Sequence, residues 1–243
     1  MNSVCIATYN GEQYIAEQLI SILSQISEDD EVIISDDNST DKTIEIIKNF
    51  HDPRIIIIRN TTSRHGAIGN FENALRHVSG RYIFLSDQDD IWFENKYQVM
   101  LSYLKKYDLV HCNSKVVDDS LNILNNSFYD VLHNGTGIIK NIKKSTYFGS
   151  HMAFNSRLIK YILPFPNTEE IGHDLWIGLV SELKGSVIFI NDTLMYYRRH
   201  ANAFCSIFEG SKRSLCKKLY GRILMLVELL KFKIRFHGVK NEL

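Results

Sequence analysis

Short apolar runs alternate with amphipathic segments through the first ninety residues of the chain. Residues 12–24, 43–50 and 70–78 repeat their apolar side chains at the spacing of a helix. Four apolar runs, typical of buried strands, separate these segments at residues 4–7, 31–35, 54–59 and 82–85. This βαβαβαβ order predicts a single, mainly parallel α/β sheet with helices on both faces. The strands of such a sheet end at one crevice.

The second half of the chain is patterned less regularly. Residues 149–154 are expected to precede a helix that ends near residues 164–166, and residues 122–143 are interpreted as a polar loop. The other predicted elements are strands at 109–117, 186–191 and 193–199 and a helix at 174–183. The chain has only 3 Pro and 13 Gly and shows no repeat, so a flexible linker is not expected. We therefore predict one compact domain over residues 1–210.

The composition suits a packed domain, since 44% of the 243 residues are hydrophobic, and it excludes disordered and fibrous classes. No apolar run approaches the length of about 18 residues that a membrane span needs. The chain enters its first strand without a signal-peptide pattern, so we expect a cytoplasmic protein. Cys5, Cys112, Cys205 and Cys216 lack paired spacing, which argues against a zinc site or a disulfide framework.

Three carboxylates follow the fourth predicted strand within four positions. Asp87, Asp89 and Asp90 would repel one another at the end of a buried strand unless a cation or several donors compensated them. Mg²⁺ commonly bridges one or two protein carboxylates to substrate phosphates, so a divalent metal is one hypothesis. The alternative is an acidic turn that caps the next helix.

Several short motifs occur in order along the chain. They are VCIATYNG at residues 4–11, IISDDNSTDKT at 33–43, Gly66, NFE at 70–72, DQDD at 87–90, HDLW at 173–176 and YRRHAN at 197–202. This combination, which spans residues 3 to about 204, resembles the family 2 glycosyltransferases, and within them the DQDD-signature, rhamnosyltransferase-like branch.

The resemblance implies a GT-A fold and transfer of a sugar from a UDP- or dTDP-sugar to a saccharide hydroxyl, with inversion at the sugar carbon. It also implies an acceptor that is a lipid-linked precursor of a surface polysaccharide. The loop around residues 149–152 varies among relatives, so it does not identify the acceptor.

The resemblance also implies a nucleotide pocket. Thr8, Tyr9 and Glu12 follow the first strand, where that pocket begins in the family, and Asn70 extends the match. Asp37 corresponds to the carboxylate that accepts a hydrogen bond from the imide N–H of the base. The alternative for Asp37 is a simple cap of the following helix.

For the diphosphate, the resemblance implies a Mg²⁺ or Mn²⁺ cofactor. Asp87 corresponds to a ribose or metal contact, Asp89 to the metal ligand, and His200 to a further contact with the metal or the diphosphate. Arg198 is expected to neutralise phosphate charge, because a planar guanidinium suits phosphate oxygens. The role of Asp90 stays open between a site contact and a turn cap.

Asp174 is the candidate general base. An acceptor hydroxyl needs a carboxylate within hydrogen-bonding reach, and the apolar neighbours Leu175 and Trp176 would raise the pKa of this one toward a useful value. A helix N-cap is the alternative, and both roles are compatible because a helix start fixes the carboxylate's direction. His173 is expected to orient groups rather than to react.

Two rival functions fit less well. A nucleotidyltransferase should show a Gly-rich, basic loop after the first strand, whereas residues 8–12 contain Glu12 and no Lys or Arg. A catalytically inactive nucleotide-sugar-binding module would not need both Asp89 and Asp174. Nucleic-acid binding is disfavoured because residues 1–210 carry a net charge of −7.

The last segment, residues 211–243, carries nine Lys or Arg and two Glu, a net charge of +7. Its apolar residues recur at helical spacing and include Leu215, Leu219, Ile223, Leu226, Leu230 and Ile234, with Met225, Leu229, Phe232 and Phe236 widening that face. Such a basic amphipathic helix can lie peripherally in a membrane interface. It can equally pack on the catalytic domain or on a second subunit.

Overall fold

The computed structural model of the protein describes residues 1–199 and 214–236. Its first half has the predicted alternation. The strands are β1 (Ser3–Thr8), β2 (Glu31–Asp36), β3 (Ile55–Arg59) and β4 (Tyr82–Asp87). The helices between them are α1 (Ile15–Leu23), α2 (Thr43–Lys48) and α3 (Gly66–Leu75). All seven predicted elements are confirmed, with small differences at their ends.

The second half adds shorter elements. Its strands are β5 (Ile91–Trp92), β6 (Leu109–Val117), β7 (Ile123–Asn125), β8 (Met152–Asn155) and β9 (Val187–Arg198). Its helices are α4 (Lys96–Leu104), α5 (Phe128–Leu132), α6 (Ile138–Lys143), α7 (Ile159–Ile162), α8 (His173–Lys184) and α9 (Leu215–Arg235). The predicted strand 109–117 and the helix predicted near 174–183 are therefore confirmed.

One sheet runs through the molecule in the order β3-β2-β1-β4-β8-β6-β9-β5, and β7 pairs with β6 outside that path. The strands β3, β2, β1 and β4 are mutually parallel. Strand β8 lies antiparallel between β4 and β6, and β6 pairs parallel with β9. The sheet is thus mainly parallel, as predicted.

Two predictions for the second half are wrong. The two strands predicted within residues 186–199 are one strand, Val187–Arg198. It continues through a bulge opposite β6, where His111 pairs with Phe189 and Asn113 pairs with Thr193. The exposed polar residues that suggested a break lie in that bulge. Residues 122–143 contain β7, α5 and α6. These elements have three, five and six residues, too few to show a clear period. Burial of Phe128 anchors this region instead.

The strand side chains alternate between two apolar cores, one on each face of the sheet. In β4, Phe84 points into the core formed with α1 and α4, whereas Ile83 and Leu85 point into the core formed with α3, α7 and α8. Both faces of the strand are therefore buried, which explains its continuous apolar run. The predicted helical layers on both faces are present.

Helix α9 packs on the rest of the protein along one side. Met225 and Phe232 are buried there, and the Phe232 ring meets the Trp176 ring of α8 edge-on at a centroid distance of 5.9 Å. Phe236 contacts Tyr161 of α7 in the same way at 5.0 Å. Among the helices of the described ranges, none is both long enough and apolar enough to cross a bilayer.

Candidate active site

A cleft of about 420 Å³ opens where the parallel strands end. Its walls come from the ends of β1, β4 and β9 and from the starts of α3 and α8. Eight of the predicted site residues border it: Thr8, Tyr9, Asp37, Asn70, Asp87, Asp89, Asp174 and Arg198. Residues as distant in sequence as Thr8 and Arg198 are brought together because the carboxyl ends of parallel strands share one edge of the sheet.

Of the predicted site residues that the structure describes, Glu12 is not on this cleft. Glu12 is exposed, and its Oε2 accepts a hydrogen bond from the backbone N–H of Lys42 at 2.9 Å. The backbone N–H of Glu12 in turn donates to Oδ2 of Asp41 at 3.1 Å, so Glu12 ties two loops together beside the cleft. His200 lies outside the described residues.

The side chain of Gln88 joins the ends of β1 and β4. Its Oε1 accepts from Oγ1 of Thr8 at 2.6 Å and from the backbone N–H of Tyr9 at 2.9 Å. Its amide group donates to the carbonyl oxygen of Tyr9 at 3.1 Å. Gln88 was not among the predicted site residues. Its position between two carboxylates of the motif at residues 87–90 is the one sequence signal of its importance.

Asp37 is buried, and its carboxylate contacts the residues at the start of α3. It does not cap α2, the next helix in the sequence, as the alternative proposed. Its Oδ1 contacts Nδ1 of His65 at 2.8 Å and accepts from Nδ2 of Asn60 at 2.9 Å. Its Oδ2 accepts from the backbone N–H of Gly66 at 2.6 Å. The neighbouring Asp36 forms the local turn, accepting from the backbone N–H of Ser39 at 3.0 Å.

The carboxyl groups of Asp87, Asp89 and Asp90 form an acidic cluster in which two pKa values are raised. Burial, together with the charges of Asp89 and Asp174, raises the pKa of Asp87 to about 7. Burial and the charges of Asp89 and Asp87 also raise the pKa of Asp90. Asp90 is 1% exposed and does not border the cleft. Its Oδ1 accepts from the backbone N–H of Arg198 at 3.1 Å, which ties the end of β9 to the end of β4.

A lysine that sequence reasoning missed lies beneath this cluster. Lys96, at the start of α4, is fully buried, and its ammonium donates to the carbonyl oxygen of Ser150 at 2.8 Å and lies 4.4 Å from the centre of the Trp92 ring. Burial lowers the pKa of Lys96, and the charges of Asp90 and Asp87 oppose that change. Its only sequence signal was a lysine at an inward-facing position of an amphipathic helix.

The carboxylates at the cleft suit a divalent cation. In the described ranges, no three His, Cys, Asp or Glu side chains form a ready-made metal cage. Asp87 and Asp89 nevertheless border one cleft and repel each other, and Oδ2 of Asp90 has no hydrogen-bond partner among the described residues. Mg²⁺ is typically held by one or two carboxylates, with water and substrate phosphate completing its shell, so the donor set fits such an ion.

Asp174 occupies the first turn of α8. Its Oδ1 accepts from the backbone N–H of Leu175 at 2.7 Å, which directs the carboxylate toward the cleft edge. Burial raises its pKa to about 6, although the backbone N–H groups oppose that rise. A carboxylate with this pKa is ionised at neutral pH and still basic enough to accept a proton from a hydroxyl.

His173, the residue before Asp174, also borders the cleft. Its ring stacks on the ring of Phe71 at a centroid distance of 4.4 Å, and burial lowers its pKa to about 3, so the ring is neutral at physiological pH. Its Nε2 is buried and has no hydrogen-bond partner within the described part of the chain. A Cβ on Gly149 would lie 2.7 Å from that nitrogen, so the bare glycine makes room for the ring.

The two arginines at the end of β9 both border the cleft. The guanidinium of Arg198 is buried, forms an ion pair with Glu17 of α1, and lies 5.0 Å from the centre of the Tyr14 ring. Arg199 is half-buried and lies over the ring of Tyr197 at 5.5 Å. Arg199 follows the last residue of β9, so the alternation of side chains within the strand does not fix its direction.

Comparisons with known proteins agree with this geometry. The family model described as Glycosyl transferase family 2 matches residues 3–163. A relative from Escherichia coli, UDP-Glc:alpha-D-GlcNAc-diphosphoundecaprenol beta-1,3-glucosyltransferase WfaP, is 30% identical over 232 residues, which cover 92% of this chain and 90% of the relative. The dTDP-rhamnosyl transferase RfbG of Shigella flexneri is 44% identical over 97 residues, or 37% of this chain and 34% of the relative.

Solved structures show the same fold. A fragment of S. aureus TarS, residues 1–349, in complex with UDP-GlcNAc superposes with a TM-score of 0.67 at 19% identity, covering 98% of this chain and 74% of that fragment. The mannosyltransferase PcManGT from Pyrobaculum calidifontis, in complex with GDP-Man and Mn²⁺, superposes with a TM-score of 0.63, covering 95% of this chain and 64% of PcManGT. The predicted GT-A fold is therefore confirmed.

Proposed function

The chain belongs to glycosyl transferase family 2 and is a glycosyltransferase, and on this premise we propose that it transfers a sugar from a UDP- or dTDP-sugar to a saccharide hydroxyl. The observation that carries the proposal is the convergence of Asp87, Asp89 and Asp174 on one cleft at the carboxyl ends of the strands. Ligands of open α/β sheets bind at this edge.

The donor would lie along the ends of β1, β2 and β4. Asp37 presents a carboxylate that can accept from a base imide N–H. Its two oxygens can accept about four hydrogen bonds, and Asn60, His65 and Gly66 occupy three of these positions, so about one is left for the base. Thr8, Tyr9 and Asn70 border the space between that carboxylate and the acidic cluster. The names of WfaP and RfbG state a UDP-sugar and a dTDP-sugar, both of which carry an imide base.

Asp89 and Asp87 would hold a Mg²⁺ or Mn²⁺ ion. When bound, such an ion stabilises the negative charge that develops on the departing diphosphate. Arg199 and the main chain at the end of β9 border the same part of the cleft, where they can neutralise further phosphate charge. The guanidinium of Arg198 would first have to leave its ion pair with Glu17 to take the role assigned to it.

Asp174 would act as the general base. It accepts the proton of the acceptor hydroxyl while that oxygen attacks the anomeric carbon and the bond from that carbon to the diphosphate oxygen breaks. Attack from the face opposite the leaving group inverts the anomeric centre. The pKa of about 6 supports this role, since it keeps Asp174 ionised at neutral pH.

The acceptor is proposed to be a lipid-linked saccharide on the route to a surface polysaccharide, used at the cytoplasmic face of the membrane. The printed name of WfaP states a diphosphoundecaprenol-linked acceptor. That relative and this chain cover each other almost entirely, which supports carrying over the class of acceptor, though not the sugar or the linkage.

The test is a screen of nucleotide sugars for release of nucleoside diphosphate, with and without Mg²⁺ or Mn²⁺. We expect turnover with at least one UDP- or dTDP-sugar in the presence of a saccharide acceptor and loss of that turnover in excess EDTA. Equal turnover in EDTA would remove the metal from the proposal. Donor binding without turnover on any acceptor would favour a non-catalytic binding module, and nucleotide incorporation from a triphosphate would favour a nucleotidyltransferase.

A further inference from the structure

Helix α9 has two apolar faces, and among the described residues one of them contacts the catalytic domain while the other is exposed. The inner face carries Met225 and Phe232, which are 2% and 6% exposed. The outer face, called here the outward stripe, consists of Leu215, Leu219, Ile223, Leu226, Leu230 and Ile234. Each residue of the outward stripe is at least 50% exposed, and Leu215 reaches 83%. Large apolar side chains exposed in one contiguous row mark an interaction surface.

The geometry of the outward stripe is that of an interfacial helix. At 3.6 residues per turn, its six residues fall within roughly 100° of the helix circumference. Exposed Tyr220 and Val227 widen one edge. Arg222 and Lys233 lie along one edge of the outward stripe, and Lys231 lies beyond Tyr220 and Val227 on the other side. Lys217 and Arg235 lie further round the helix.

The charge of the helix indicates the partner. Residues 215–235 include six Lys or Arg and a single acidic residue, Glu228. Glu228 is paired with Lys231 at 2.7 Å, and Lys217 lies 3.7 Å from Glu170 of the catalytic domain. The basic edges therefore keep a strong net positive charge around an apolar centre. A negatively charged surface with an apolar interior is complementary to this pattern.

We propose that α9 docks on an anionic lipid bilayer, with the outward stripe in the acyl boundary and the basic edges at the headgroups. In such binding, burial of the exposed apolar side chains in the bilayer acts together with the attraction between Lys or Arg and anionic lipid. The inner face of α9 stays on the catalytic domain, so docking needs no rearrangement of the buried Met225 and Phe232 contacts.

A second copy of the chain fits the same face less well. In a two-fold symmetric pair, the outward stripe would pack on itself, and the basic edges of the two copies would lie against each other. Like charges placed together in this way oppose association. The described structure offers a single acidic side chain on α9, Glu228, to relieve that repulsion.

Docking through α9 would also orient the cleft. Phe232 packs on Trp176, which lies two residues after Asp174 in α8, and Lys217 is close to Glu170, four residues before it. The helix is therefore attached directly to the segment that carries the proposed base. On the proposed function, this arrangement would hold Asp174 at a fixed height above a lipid-linked acceptor.

The experiment is vesicle co-sedimentation of the full chain. Vesicles of phosphatidylcholine with 30% phosphatidylglycerol, a composition of about one anionic lipid in three, test the charge requirement against pure phosphatidylcholine. We expect binding to the anionic vesicles that weakens with added NaCl, and little binding to the neutral ones. The double variant Leu226→Glu/Leu230→Glu should lose this binding. The matched control Ile20→Glu/Ile56→Glu changes two exposed apolar residues elsewhere and should retain it.

A second variant separates charge from fold. Arg222→Gln/Lys233→Gln should weaken binding by roughly 25-fold, since each basic residue near an anionic leaflet contributes roughly fivefold. All variants should keep wild-type donor turnover with a water-soluble acceptor, so a failure of catalysis is distinguishable from a failure of docking. Equal binding by the Leu226→Glu/Leu230→Glu variant, or no binding by the wild type, would overturn the proposal. A dimer in sedimentation velocity that this variant abolishes would overturn it in favour of a second copy.

Discussion

Gly172 and Asp174 are in such close contact that no side chain fits between them. A Cβ built on Gly172 would lie 2.4 Å from Oδ1 of Asp174. The backbone of Gly172 is extended, with φ −62° and ψ 148°, so an alanine could adopt it without strain. The absence of a side chain at this position therefore serves the direction of the Asp174 carboxylate and not the course of the main chain.

Replacing Gly172 by Ala should accordingly turn the Asp174 carboxylate away from its present position while the fold is kept. The transfer rate of Gly172→Ala should decrease. The rate of Asp174→Asn should also decrease, by roughly 10²-fold or more, which is the contribution of a positioned general base. Steady-state rates and isothermal titration with the donor measure both effects. Donor affinity should be unchanged in both variants. Wild-type transfer by Asp174→Asn would show that another group is the base.

The pH dependence of transfer should report the raised pKa of Asp174. A general base works only when deprotonated, so the rate should fall about tenfold per pH unit below about 6 and level off above it. The Asp174→Asn variant should lose this acidic limb. A pH–rate profile at saturating donor and metal tests the assignment. A wild-type limb that persists unchanged in the variant would belong to another group.

The raised pKa of Asp174 should make the protein less stable as the pH rises, although the transfer rate increases over the same range. Its folded-state pKa of about 6 lies above the ordinary value of 3.8, so the native state binds the proton more tightly than the unfolded chain does. The free energy of unfolding should therefore decrease as the pH rises through this window. Urea denaturation at pH 4.5 and pH 7 should show a smaller decrease for Asp174→Asn than for the wild type. An equal decrease in both would contradict the pKa shift.

Asp89→Ala should weaken metal-dependent donor binding. Even the outer-shell partners of metal ligands contribute 10- to 100-fold to metal affinity, so loss of a ligand should cost at least about tenfold. Calorimetry with UDP- or dTDP-sugar in Mn²⁺ and in EDTA separates the metal contribution. In EDTA, the variant and the wild type should bind alike. Asp192→Ala removes an exposed carboxylate away from the cleft and should behave as the wild type. Undiminished Mn²⁺-dependent binding by Asp89→Ala would exclude Asp89 as a ligand.

Asp37→Ala should remove the preference for an imide base. The wild type should bind UDP more tightly than CDP. Uracil has an N–H at position 3 that can donate a hydrogen bond to Asp37, whereas cytosine has an acceptor nitrogen there. Loss of a hydrogen bond to a charged group should weaken UDP binding by roughly 10- to 100-fold, with CDP affected much less. Fluorescence titration of both nucleotides, with thermal melting to confirm the fold, measures the change. Unaltered UDP affinity in a folded variant would leave Asp37 as a structural support of α3 alone.

Lys96→Met should destabilise the protein, because it removes the buried cation that faces Asp87 and Asp90. Its removal leaves the carbonyl oxygen of Ser150 without this donor and two buried carboxylates without a compensating charge, which should cost roughly 1–3 kcal/mol of unfolding free energy. Urea denaturation checks this, with Lys105→Met as the matched control. Lys105 is an exposed lysine just after the same helix, where a substitution should change stability by at most about 0.5 kcal/mol. A wild-type unfolding curve for Lys96→Met would show that the acidic cluster does not depend on this lysine.

The sequence by itself determined the first half of the fold and the edge where the site lies. Strands β1 to β4 and the helices between them have strong local periods, and their order restricts them to a mainly parallel sheet. Residues that follow such strands, including Thr8, Asp37 and Asp87, must then meet at one edge. The short elements of residues 122–143 and the bulge of β9 could not be predicted, because they depend on contacts distant in sequence and not on a local period.

Only the tertiary structure decided the direction and the partners of individual side chains. Glu12 follows β1 as closely as a site residue would, yet it binds the loop of Lys42, and the guanidinium of Arg198 is paired with Glu17. Lys96 became part of the charge balance because α4 packs its start beneath the acidic cluster. Helix α9 was amphipathic in sequence, but its packing on α8 selected which apolar face is buried and left the outward stripe exposed. The physical reason is common to these cases: local sequence sets the period of an element, whereas its rotation and its neighbours follow from burying the whole chain at once.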